Sequence, residues 1–367
     1  MTGHRKTTLM PTGKIILFCF WIIAVGFVSI LQAETLHMKP FQIRDQQMGG
    51  VTAFRAMAPS NWRIRGGLSW DSGLANLVTA NVAITSPDQS AGFYAHPSPQ
   101  YISGQIQNQW PQGQRYLGME VLPMPESPAQ FLRQVVLPRQ RPGAVNIRLI
   151  RHRDLPEWAD SVAAASDQGS GTIRGFGTCS RFTYIENGEA WEEDFYCVIL
   201  ISQSLLDLQN VTWLADRNLS FRARAGKLDD LQSLAAVFVA SFKVEQNWYG
   251  RFLKVQRQWI AARQQGIADA GALSRAISQS NDNFDQTIMQ SWQNRNRAEE
   301  RASREFSEYI RDSENYYDAV NDRQVELPGG YDHAWSNSLG EYILTDDPGF
   351  DPNTDSNASW EAIRPAF

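Results

Sequence analysis

The chain has 367 residues, 43% hydrophobic and 20% charged, with twelve Trp and a formal charge of −5. This composition excludes a disordered chain, a collagen-like chain and a disulfide-dense miniprotein. The acidic balance argues against a nucleic-acid binder, whose surface needs a basic excess, and five His and three Cys leave little material for a multi-ligand zinc site.

Arg5, Lys6 and Lys14 precede an unbroken apolar run from Ile15 to Leu31, and Ala33 supplies a small residue before Glu34. Positive flank, apolar core and small-residue exit are the parts of a secretory signal peptide. The expectation is cleavage after residue 33 and a secreted or periplasmic protein. The run is about 17 residues long, the lower edge of what spans a bilayer. An uncleaved membrane anchor over residues 15–31 is therefore the alternative.

Residues 34–245 read as one α/β domain. Strand patterns cover Val51 to Met57, Arg63 to Trp70, Ala80 to Thr85 and Gly92 to Ala95, with turn chemistry between them. Ser127-Pro128-Ala129-Gln130 starts a helix: Ser can cap and Pro suits the first helical position. A strand from Val145 to Ile150 and a short helix from Glu157 to Ala165 follow. Asn187-Gly188 then marks a tight hairpin turn. Folding about it places Cys179 opposite Cys197 or one residue off; one bulge would bring them into register, and export favours an oxidised pair. A Cys179–Cys197 disulfide is expected. Leu228, Leu231, Leu234, Ala235, Phe238, Val239 and Phe242 recur at helical spacing and close the domain.

The turn Pro59-Ser60-Asn61-Trp62, the meander of strands and hairpins, and the helix ending Val239-Ala240-Ser241-Phe242 resemble the PsbP-like fold, over roughly residues 50–245. The resemblance implies an α+β antiparallel sheet flanked by helices and used mostly for protein–protein binding. It carries no catalytic motif.

Residues 246–319 read as a long helical arm, with a break near Gly266 and Gly271 and a middle, Gln293 to Arg301, that is polar all round. Self-association through residues 273–318 is one use for such an arm. Residues 320–367 form an aromatic, acidic tail with a short β-rich hairpin. The motifs Tyr331-Asp332-His333-Ala334-Trp335 and Gly340-Glu341-Tyr342-Ile343-Leu344 are similar to the endings of exported bacterial proteins of unknown role.

The tail holds the densest polar and aromatic cluster: Tyr331, Asp332, His333, Trp335, Asn337 and Glu341. Its first reading is structural docking of the tail onto the domain and its second a binding surface, and no residue is assigned a catalytic role. Asp351, Asn353, Asp355 and Asn357 put oxygen side chains at alternate positions, like half of a calcium loop, but Ser356 and Ala362 stand where such a loop needs Gly and a bidentate carboxylate. The sequence thus points to an exported, non-catalytic protein-binding or scaffolding protein of the cell envelope, with a protein partner. Two alternatives are an envelope hydrolase using Asp332, His333 and Glu341, and a calcium-dependent carbohydrate-binding protein.

Overall fold

A computed structural model describes residues 35–366 except 167–171, 204–206, 311–312 and 355; the leader, residues 1–33, lies outside the described residues. The chain first lays down β1 (Thr35–Asp45), β2 (Val51–Pro59), β3 (Arg63–Trp70), β4 (Val78–Thr85), β5 (Ala91–Ala95), β6 (Gln100–Gly104), β7 (Arg115–Tyr116) and β8 (Met119–Val121). Helices α1 (Pro128–Phe131) and α2 (Leu137–Gln140) flank a single π turn. Next come β9 (Val145–Asp154), α3 (Pro156–Ser166), β10 (Thr172–Glu186), β11 (Glu189–Gln203), β12 (Asn210–Arg224), α4 (Gln232–Ser241) and β13 (Lys243–Val244). The last third runs through α5 (Gln246–Gln264), α6 (Ala270–Gln279), α7 (Gln286–Ile310), β14 (Ser313–Asp318), β15 (Arg323–Pro328), β16 (His333–Asn337), β17 (Tyr342–Thr345) and β18 (Trp360–Pro365).

Two sheets result. One has the order β13-β2-β1-β17-β16-β18-β14-β15; the other has the order β3-β4-β5-β12-β11-β10-β9, with β6, β7 and β8 attached beside β12. The fold is mostly β, 43% strand against 29% helix. This corrects the expected PsbP-like arrangement of one flanked antiparallel sheet followed by a long helical segment and a separate β tail. The tail strands are built into the first sheet, because β17 pairs with β1 from Thr35 opposite Thr345 to Met38 opposite Tyr342. The helical stretch is three helices. Gly266 turns the chain out of α5 at φ 71°, Asp269 caps α6 by accepting the Ala272 N–H at 2.7 Å, and Asp285 accepts the Ile288 N–H at 2.8 Å to start α7.

Helix α4 lies between the sheets. Ala235, Ala236, Phe238 and Val239 join the core formed with β5, β11 and β12, whereas Val237 joins Met38, Tyr342 and Leu344 of the other sheet. A helix that is apolar all round is a buried helix. Helix α3 lies flat on β10 because Gly175 and Gly177 have no side chain: a Cβ at either would come within 2.6 Å of the carbonyl oxygens of Ala159 and Leu155.

The hairpin of β10 and β11 decides the cysteines. Asn187 and Gly188 take the positive φ angles of a two-residue turn, 53° and 80°, and Glu186 faces Glu189 with no bulge along the pair. Cys197 therefore faces Thr178, and Cys179 faces Tyr196. A one-residue offset turns side chains to opposite faces of a sheet. Cys179 enters the core under α3 and α4, and Cys197 enters the core under α1 and α2. The expected disulfide is not formed. Burial pushes the Cys197 thiol well above its ordinary pKa.

Candidate functional site

Between the sheets, the helices do not fill the space. A cavity of about 400 Å³ lies between β3, β4 and β12 and helices α3, α4, α5 and α7, within the size range of small-molecule sites. Its walls are largely apolar and aromatic, with Phe54, Trp158, Phe238, Phe242, Trp248 and Phe252 among them. One buried carboxylate sets the geometry of the α5 wall. Asp45, at the end of β1, accepts the indole N–H of Trp248 at 2.7 Å and that of Trp70 at 2.9 Å on the same oxygen. Its other oxygen accepts the Gln47 and Met48 backbone N–H groups.

The polar lining comes from β12 and α7. Strand β12 carries one extra residue where Tyr196 faces Leu219 but Val198 faces Asp216. The bulge puts Arg217 at φ 49°, and bulges commonly re-aim side chains at sites. Arg217 pairs with Glu299 of α7 and, at 3.4 Å, with Asp216; Arg295, one helical turn before Glu299, pairs with it at 3.3 Å. Burial acts against the Arg217 charge, but Glu299 and Asp216 outweigh it and raise its pKa. Asn218 gives its Nδ2 to the Pro97 carbonyl at 3.2 Å. Two buried atoms of cavity-lining residues have no protein partner: the Asn218 Oδ1 and the Arg295 Nε. Asn218 is only 4% exposed.

His96 also lines the cavity and reaches a second polar cluster on β11 and β12. Its Nε2 lies 2.8 Å from the Ser220 Oγ, and Ser220 donates to Glu193 at 2.5 Å. Glu193 also accepts two bonds from Arg141, at 2.7 and 3.1 Å, and one from the Tyr184 hydroxyl at 2.5 Å. Burial pushes the Glu193 pKa upward, but Arg141 and the other donors hold it below the usual range. An ionised carboxylate only accepts, so the single Ser220 proton points to Glu193. His96 must then donate from Nε2. That tautomer cannot take a proton from Ser220, so the chain His96–Ser220–Glu193 is not a nucleophile with its base. Burial lowers the His96 pKa to about 4.

The tail residues fall at two ends of one hairpin. His333 and Trp335 share a face of β16 with ring centroids 5.8 Å apart, and Trp335 meets Phe350 edge-on. Asp332 is exposed and gives its backbone N–H to Asp346; Tyr331 packs beside the core of the first sheet. Asn337 staples the turn: its Oδ1 accepts the Leu339 and Glu341 N–H groups and its Nδ2 donates to Glu341. His333 faces Thr345 while Glu341 sits at the turn, roughly 13 Å away at strand rise. Asp332, His333 and Glu341 are not brought together.

Of the calcium-like residues, Asp351 caps the Asn353 N–H and Asn353 docks Trp360 through both its amide atoms. Asn357 is exposed, and Asp355 lies outside the described residues. Among the described residues, no three His, Cys, Asp or Glu side chains converge as a metal site. Helices α6 and α7 spend Leu273, Ala276, Ile288, Ala302 and Phe306 on the protein's own cores. No described helix is long and apolar enough to cross a membrane.

Sequence reasoning missed Arg217, Asn218, Arg295 and Glu299. The available signal was Ala298 inside the polar run of α7 and Ala302 just after it: small residues one turn apart, both buried, with Arg295 and Glu299 at adjoining helical positions. No family model matches the chain, and no curated protein matches it.

Proposed function

We propose that this is a non-catalytic binding protein that holds one small, mostly apolar molecule in the cavity between its two sheets. The observation that carries the reading is the cavity itself: aromatic walls, with Arg217 and Glu299 among the polar side chains of the lining. Ligand sites combine an apolar lining with a few placed polar groups in this way. The test is titration with Nile red, an uncharged dye that brightens in apolar surroundings. Val239→Phe and Ala302→Leu each add bulk to the lining. Saturable binding weakened at least tenfold by either folded variant is expected. Binding that both variants leave unchanged would sink the proposal.

Export belongs to the same proposal. It is supported by the basic flank, apolar run and small-residue exit of the leader. N-terminal sequencing of the protein from the source cell's envelope is expected to begin at Glu34; a retained leader would replace export by anchoring.

A second reading, protein binding, is favoured by β9. It pairs with β10 on one side, and no described strand pairs with its other edge. Arg148 and Arg151 face Thr183 and Arg181 on either side of a bulge, beside Leu149 and Ile150, 43% and 57% exposed. An acidic, extended segment of a partner fits that edge by strand addition; β9 of a second copy would set arginine against arginine. Binding of an alternating Glu-Val peptide is expected to fall in Arg148→Glu, and equal binding would remove this reading.

A further inference from the structure

The β9 edge is specific about the strand it would accept, provided it takes an acidic partner as in the second reading above. All of its ten residues but Ile147 are exposed. The bulge arranges the arginines. Arg148 faces Thr183, Arg151 faces Arg181 and Arg153 faces Cys179, while Ile150 is the extra residue between them. Thr183, Arg181 and Cys179 alternate along β10 and share one of its faces, and residues directly opposite one another share a face as well. Arg148, Arg151 and Arg153 therefore stand in one row, at steps of about 6.7 Å, two residues of a regular strand. Without the bulge Arg148 would point the other way.

The carboxylates of that face, Glu192 and Asp194, sit on β11, two strands in from the edge. Asp194 holds Arg181 by bonds of 2.8 and 2.7 Å and reaches Arg151 only at 3.8 Å, so 52% of the Arg151 side chain stays in solvent. The outermost row of an acidic protein is thus cationic. The opposite face of the edge is apolar beside it: Ile147 packs on the core under α1 and α2, and Leu149 faces Phe182 of that core. We infer that β9 accepts an extended segment with three carboxylates at alternate positions and apolar residues between them. The carboxylates meet the arginine row, and the apolar side chains lie beside Ile147 and Leu149. In strand addition the backbone supplies affinity and alternate side chains supply specificity, so the order of the residues matters and not their charge alone.

Fluorescence anisotropy of labelled heptapeptides at pH 7.5 tests this on the unsubstituted protein. Val-Glu-Val-Glu-Val-Glu-Val is expected to bind at least tenfold more tightly than Val-Val-Glu-Glu-Glu-Val-Val, which has the same composition and charge. Backbone N-methylation separates strand addition from adhesion of any polyanion. Alternate residues of a strand aim their N–H groups at the same neighbour. Methylating the three Glu nitrogens and methylating the two inner Val nitrogens must therefore differ: one peptide is expected to lose binding at least tenfold and the other to stay within threefold. Equal binding of the alternating and block peptides, or the same response to both methylations, would overturn the inference. Arg153→Gln is expected to weaken the alternating peptide at least threefold, and unchanged binding there would overturn the row of three. Failure of the underlying edge reading looks different: the alternating peptide itself would then ignore Arg148→Glu, and this inference would fall with it.

Discussion

Ser220 and Asn218 stand two residues apart on β12, and the polar clusters around them are completed differently. The Glu193 carboxylate beside Ser220 accepts four hydrogen bonds and carries its own cation. Around Asn218 the charges balance, yet an acceptor and a donor stay open. A satisfied buried network rigidifies a core; an open buried acceptor costs about 1–3 kcal/mol and returns nothing within the chain. The first cluster is closed on itself, and the second leaves two polar atoms unpaired. Arg222 Nε and Trp191 Nε1 also lack partners, but those two side chains stack on each other at 3.6 Å and neither lines the cavity.

The contrast is broken most forcefully at Arg141. Arg141→Leu strands the Glu193 carboxylate in the core, and breaking a buried pair from one side costs about 3–5 kcal/mol. Urea unfolding is expected to show that loss at unchanged slope; a loss below about 1 kcal/mol would mean that Glu193 is not held as described. Acid attacks the same network. His96 is neutral in the fold, with its pKa lowered to about 4 by burial, while an unfolded chain takes up its proton near 6.5. Stability is therefore fully present above pH 6.5 and declines as pH falls toward 4, by about 3 kcal/mol. His96→Gln, whose amide can still donate to Ser220, is expected to flatten the pH dependence in that window. Unchanged slope there would remove His96 from the network.

Asp45 sharpens the comparison from the cavity's other side, because its donors are all neutral N–H groups. Asp45→Ala removes the acceptor of two buried indoles, Trp70 and Trp248, and is expected to cost about 2–3 kcal/mol. Since Trp248 is part of the wall, Nile red binding is expected to weaken as well. A stability loss with untouched dye binding would show that the α5 wall does not depend on this anchor.

Local features of the fold were legible in the sequence. Asn187-Gly188 makes the expected hairpin, Ser127 caps its helix by accepting the Gln130 N–H, and the apolar stripe ending at Phe242 is helix α4. What depended on distance was not legible. Nothing in residues 35–45 announces that they pair with residues 342–345, because strand partners are set by the whole sheet. The cysteine pair failed by one residue: period-2 alternation turns a slip of one into opposite cores. The site was hidden for a related reason. Arg295 and Glu299 sit in a helix segment that reads as polar all round, and only the burial of Ala298 and Ala302 shows that this face is turned inward. The Arg217 bulge leaves no mark in the hydropathy of β12.

The smallest expected effect separates the two clusters most cleanly. Asn218→Leu gives up one bond, from Nδ2 to the Pro97 carbonyl at 3.2 Å, and in the same step removes the unpaired Oδ1. Losing a typical hydrogen bond costs about 1 kcal/mol, and removing an unsatisfied buried acceptor returns a similar amount. The ligand-free protein is therefore expected to change stability by less than about 1 kcal/mol, against several at Arg141. If Asn218→Leu instead destabilised the ligand-free protein as strongly as Arg141→Leu, the open acceptor would be part of the fold's own network, and the distinction between the clusters would be lost.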